Sequence, residues 1–231
     1  MPRPPRCDVA GMCFHVLNRG NARQTIFHKY EDYLAFERVL VEGLERTPVS
    51  LLGYCWMSNH WHMVLSPRED GGMSRLMSWV TMTHTARHHA HYGTAGSGHL
   101  YQGRYKSFPI QDDSHFLTVM RYVERNALAA GLCGRAEDWR HGSLHRWLHP
   151  HSSELKTATW PVRRPPGWVR RVNIPIGDRE QEQIRRAIAR GQPFGDAGWV
   201  ETTARQYDLE STLRKRGRPR VRPVAAANDG S

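Results

Sequence analysis

The stretch from Gly53 to Pro67 reads GYCWMSNHWHMVLSP. Two apolar runs, Val49 to Met57 and His60 to Ser66, flank Ser58-Asn59, a pair suited to a tight turn; the pattern predicts a β-hairpin. Side chains alternate faces along a strand, so His60 and His62 point the same way and Trp61 points into a core on the other side. A strand that only filled a core would carry Val, Ile or Leu at the histidine positions. Imidazoles two residues apart on a rigid strand can share one metal ion. The competing reading is a pair of surface histidines on a half-exposed sheet.

Working outward, Met12 to Arg19 (MCFHVLNR) alternates as a strand, ended by Gly20-Asn21. Lys29 to Arg46 carries Tyr33, Phe36, Val39, Leu40 and Leu44 at helical spacing and stops before Pro48. Met73 to Tyr92 reads as a second helix closed by Gly93, and HLYQGRYKSFPI (residues 99–110) reads as extended chain. Asp112-Asp113-Ser114 supplies capping residues for a third helix through Ala130, with Gly131 as its stop. The order β-α-β-β-α-β-α predicts an α+β fold, an antiparallel-rich sheet with helices packed on one face.

Residues 1–150 therefore form the main domain. The texture changes at Trp160: WPVRRPPGWVRR is rich in proline and arginine, and residues 151–176 read as a linker. A small helical DNA-binding extension follows over residues 177–210, with helices expected at Asp178 to Arg190 and Gly198 to Tyr207. Residues 211–231 read as an unfolded basic tail.

The 231 residues carry a formal charge of +11 and include eight tryptophans. Such a chain has material for a core and a surface that favours a polyanionic partner. Cys7, Cys13, Cys55 and Cys133 form no C-x-x-C pair, which argues against a disulfide frame or zinc-thiolate site and for a reducing compartment. No apolar segment suits a secretory signal or a membrane span. No G-x-x-x-x-G-K-[ST] motif is present, so ATP is not expected as a partner.

The third helix adds a second chemical signal. In VMRYVERNALAAGL, Tyr122 and Asn126 are one turn apart on one face. Periodicity alone favours Tyr122 as a core aromatic, with Val119, Val123 and Leu128 as its neighbours.

Taken together, NRGNARQTIFHKYEDYLAFERVL, NHWHMVLSP, GHLYQGRYKSFPIQDD and RYVERNALAAGL resemble the REP-associated tyrosine transposases, a branch of the single-tyrosine HUH transposases. The resemblance covers roughly residues 5 to 148 and extends to PFGDAGWV and ESTLRKRGRPR. It implies an HUH/RRM-like α/β sandwich, His60 and His62 as metal ligands, Tyr122 as nucleophile and Asn126 as the amide completing the metal site. It further implies Mg²⁺ or Mn²⁺ as cofactor, cleavage through a 5′-phosphotyrosine, and single-stranded or hairpin DNA as partner. Ala127 and Ser58 stand where many relatives have proline, which touches backbone stiffness rather than chemistry.

DNA would lie on a basic, aromatic-lined surface. Tyr101, Arg104, Tyr105 and Lys106 are candidates, with Arg19, Asn21 and Arg23 near the first strand. In the tail, RGRPR resembles an AT-hook core, in which Arg216, Arg218 and Arg220 would enter an A·T-rich minor groove; a generic basic tail on phosphates is the alternative. The run HTARHHAH (His84 to His91) suggests a second metal site but lacks a carboxylate or thiolate partner, and reads as an exposed polar helix face or a phosphate contact. The expected setting is the cytoplasm of a bacterial cell, on the nucleoid, as a monomer or homodimer. Two other functions compete: a domesticated hairpin-binding protein that does not cut, and a metallohydrolase using H-x-H to activate water.

Overall fold

The computed structural model describes residues 7–151 and 153–214. Four strands form one antiparallel sheet: β1 (Cys13–Arg19), β2 (Val49–Met57), β3 (His60–Pro67) and β4 (Lys106–Ile110), in the order β2-β3-β1-β4. The hairpin closes at Ser58-Asn59 as expected, with Met57 opposite His60 and Trp56 opposite Trp61.

Helices cover both faces of this sheet, not one. On the first face, α1 (Tyr30–Arg46) and α2 (Gly72–Tyr92) bury Phe36, Leu40, Leu76 and Val80 against Phe14, Val16, Trp56, Trp61 and Met63. On the second, α3 (Ser114–Ala129) buries Phe116, Val119, Met120 and Val123 against Cys13, Cys55, Met57 and Val64. The cause is legible in β2: VSLLGYCWM is almost continuously apolar, the pattern of a strand buried on both sides. A register shift between Leu51 and Gly53 turns both Leu52 and Gly53 toward the second core, with Leu51 and Tyr54 in the first. Gly53 lets α3 come close, since a Cβ there would stand 2.2 Å from Met120 Cε.

The α3 helix starts where its capping residues predict. The Asp113 carboxylate accepts from the His115 N–H, and Gly131 adopts φ +72° just past the C-terminus.

Beyond α4 (Ser143–Leu148), the segment expected to be a linker is packed and contains α5 (Trp168–Asn173). Trp168 is 3% exposed, and its Nε1–H donates to buried Glu124 of α3 at 2.7 Å. The guanidiniums of Arg121 and Arg125 donate to the carbonyls of Val172, Asn173, Ile174 and Pro175. Aromatic anchors therefore override the composition signal of proline and arginine. Next come α6 (Asp178–Arg190), α7 (Ala197–Gln206) and α8 (Glu210–Leu213). Ile184 and Ala187 join the second core, Phe194 bridges to Ile110 on the β4 edge, and Ala204 and Leu209 join the first core. The extension thus wraps the β4 edge and covers its unpaired groups. No helix among the described residues is long and apolar enough to cross a membrane.

Candidate active site

The central strands β3 and β1 set the polar centre of the second face. In register, His60 faces Arg19, and His62 faces Leu17. The His60 and His62 rings lie 5.1 Å apart, while Trp61 between them is fully buried in the first core. The same-face reading of H-x-H thus matches the geometry.

Each ring is held through its Nδ1. His60 Nδ1 lies 2.6 Å from Asn59 Oδ1, and His62 Nδ1 lies 2.8 Å from His15 Nε2. With both Nδ1 atoms engaged, both Nε2 atoms are left without a hydrogen bond among the described residues. Burial lowers the pKa of His60 to about 4, helped by the Arg19 charge. His62 is lowered further, by burial first and then by His15, His60 and Arg19. Both imidazoles are neutral at neutral pH, the form that binds a cation.

His15 was missed by the sequence reading. It is fully buried, stacks on Phe108 at 4.8 Å, and is lowered to about 3 by burial. A lone histidine inside the apolar strand MCFHVLNR is the same kind of signal as H-x-H. Strand alternation puts it on the face of Arg19, and only the β1–β3 pairing brings it to His62.

Tyr122, delivered by α3, meets this group edge-on, with its ring 5.8 Å from His62 and 6.3 Å from His15. It lines a cleft of about 250 Å³ with His60, Asn126, Gln181 and Arg185. Burial raises the phenol above its ordinary value, and the charges of Arg185 and Arg19 pull it back. One turn on, the Asn126 amide Nδ2 donates to the Tyr122 carbonyl at 3.0 Å, which leaves its oxygen available. No cluster of three or more His, Cys, Asp or Glu residues able to hold a metal occurs among the described residues. The donors on this face are instead two neutral, oriented imidazoles and one amide oxygen, a mixed nitrogen and oxygen set that fits a divalent ion.

A second cleft, of about 430 Å³, adjoins at Arg19 and is lined by Asn18, Gln102, Gly103, Arg104, Lys106 and Ile188, among others. Arg104 and Lys106 are exposed there, and Asn21 and Arg23 are exposed just past β1. Arg19 carries a buried Nε with no hydrogen-bond partner, a donor that a ligand would satisfy. Of the two expected aromatics, Tyr105 lines this cleft and Tyr101 does not. Tyr101 is 6% exposed, with its hydroxyl accepting from Trp61 Nε1 and lying 2.6 Å from His84 Nδ1. Tyr105 is 7% exposed in the same core, its hydroxyl 3.2 Å from Ser74 Oγ. Both rings pack into the first core, and Tyr105 alone of the two also borders the cleft. His84 is likewise buried, unlike the solvent-facing stripe expected of it. Arg216, Arg218 and Arg220 lie outside the described residues.

Residues 8–126 match the family described as Transposase IS200 like, and the chain belongs to that family. No curated protein matches the chain. Among solved structures, a REP-associated tyrosine transposase bound to a REP hairpin aligns with a TM-score of 0.54 and 16% identity. The alignment covers 71% of this chain and 94% of that one, and it shows a shared fold. A protein of Deinococcus radiodurans r1 named as a candidate transposase aligns at TM-score 0.39 and 12% identity, covering 53% of this chain and 96% of that one, too low to argue from.

Proposed function

We propose that this protein cuts and rejoins single-stranded DNA beside imperfect hairpins, with Tyr122 as the nucleophile. One observation carries the reading: the Tyr122 ring lies 5.8 Å from His62 and shares a cleft with His60 and Asn126, although helix and strand are far apart in sequence. Membership of the IS200-like family and the fold shared with a hairpin-bound relative support the choice of substrate.

His60, His62 and Asn126 would hold Mg²⁺ or Mn²⁺, which when bound supplies neutralising charge at a non-bridging phosphate oxygen. The remaining work falls to the chain itself. Asn59 and His15 fix the imidazole orientations through the two Nδ1 atoms. Arg19, Arg104 and Lys106 hold the strand's phosphates along the adjoining cleft. Tyr122 rests as a protonated phenol, since burial raises its pKa, and the charges of Arg185 and Arg19 favour the phenolate. Its oxygen attacks phosphorus. As the tyrosyl O–P bond forms, the P–O3′ bond breaks; the phenol proton is lost to solvent and the departing 3′ oxygen gains one. The phosphotyrosine conserves the bond, so a 3′-hydroxyl can reverse the step and join strands without ATP. The 5′ polarity of the link is the one implied by the resemblance to single-tyrosine HUH transposases.

The test uses a labelled hairpin oligonucleotide with a single-stranded flank, plus Mg²⁺ or Mn²⁺. The wild-type protein should form an adduct stable to SDS that is lost with EDTA and lost in Tyr122→Phe. Tight hairpin binding with no adduct, indifferent to EDTA, would replace this reading with that of a non-cutting binder.

A further inference from the structure

The chain beyond the family-matching residues 8–126 returns to the catalytic cleft. Along α6, Gln181, Arg185 and Ile188 fall at i, i+4 and i+7, so they share one helical face. Gln181 and Arg185 line the cleft of Tyr122, while Ile188 lines the adjoining basic cleft. One helix therefore walls both.

The helix is anchored on its other contacts. Ile184 and Ala187 are buried in the second core, and past its C-terminus the Phe194 N–H donates to the Pro109 carbonyl at 2.9 Å. Before its N-terminus, Arg121 and Arg125 of α3 hold the carbonyls of residues 172–175. Arg125 also lines the cleft of Tyr122, with its Nη1 held on the carbonyls of Val172 and Asn173. Arg185 is exposed and makes no hydrogen bond or ion pair among the described residues.

Arg19 of β1, opposite His60 in register, lines the basic cleft and has a buried Nε that lacks a partner. Two guanidinium charges act on the tyrosine, Arg19 from β1 and Arg185 from α6, and Arg185 shares its cleft. Planar forks of this kind suit phosphate oxygens better than ammonium groups do.

We propose that α6 forms one wall of the DNA path and that Arg185 is a catalytic residue, contacting the phosphate that Tyr122 attacks. The proposal rests on the strand-cutting reading above. It assigns residues 177–190 to the active site rather than to a separate DNA-binding appendage.

Two measurements decide it, with Arg186→Gln as control, because Arg186 is exposed on α6 but lines neither cleft. In a Tyr122→Phe background, hairpin binding is titrated by fluorescence anisotropy at several salt concentrations. Arg185→Gln should flatten the slope of log K against log[salt] by about 0.7, one single-strand phosphate contact. With Tyr122 present, single-turnover adduct formation should slow by ~10² or more in Arg185→Gln, the range seen when a donor to a charged transition state is removed. Arg185→Lys should recover part of that rate, which also shows that the helix still folds. An unchanged slope, a rate loss matched by Arg186→Gln, or a faster adduct in Arg185→Gln would each overturn the proposal. If the wild type forms no adduct at all, the strand-cutting reading falls, and the salt slope still decides whether Arg185 touches phosphate.

Discussion

His15→Phe tests the support beneath the histidine pair. A phenyl ring keeps the stack on Phe108, at 4.8 Å between centroids, and roughly keeps the volume. What it removes is the nitrogen 2.8 Å from His62 Nδ1. His62 is then left with two options. It can keep its proton on Nδ1, as a buried donor with no partner, at a cost of about 1–3 kcal/mol. Or it can move the proton to Nε2, which removes the lone pair an ion needs. Either way cation affinity falls, by the 10–100-fold typical when an outer partner of a ligating histidine is lost. That corresponds to about 1.4–2.7 kcal/mol. The assay is Mn²⁺ binding to the free protein, followed through the EPR signal of unbound ion, with thermal unfolding in EDTA as a check on folding. The Kd should rise by that factor. If His15→Phe folds and binds Mn²⁺ as the wild type does, the orienting role of His15 is refuted.

Trp168→Ala should destabilise the protein by about 3–5 kcal/mol, the usual cost of truncating a buried tryptophan, because it empties a site 3% exposed and strips a hydrogen bond from buried Glu124. Urea unfolding would measure it, and an unchanged midpoint would mean that residues 151–176 are the loose tether their composition suggests. His84 gives an acid limb to stability. Burial lowers it from 6.5 to about 3, so between those values the unfolded chain binds a proton that the folded chain refuses. Stability is therefore complete above pH 6.5 and falls as the pH drops toward 3, at up to about 1.4 kcal/mol per pH unit. Denaturant titrations from pH 7 to pH 4 should show a shallower fall in His84→Gln; an equal slope would contradict the buried neutral state.

The features that sequence alone determined are those set by local geometry. Period-two alternation put His60 and His62 on one face and Trp61 on the other, and 3.6-residue periodicity put Tyr122 above Asn126. Turn and cap residues placed the hairpin and the start of α3 for the same reason, since each depends on neighbours a few residues away. The two-sided burial of the sheet was also legible in the apolar run of β2, although it was read as one-sided. Only tertiary structure decided the rest. His15 and His62 meet through strand pairing across 47 positions. Tyr101 and Tyr105 turn inward because a core on the first face has room for their rings, which no local rule reports. Arg185 reaches Tyr122 because Trp168, Phe194 and the arginines of α3 fold the extension back over the sheet. Such contacts are set by the shapes of distant surfaces, and spacing along the chain does not record them.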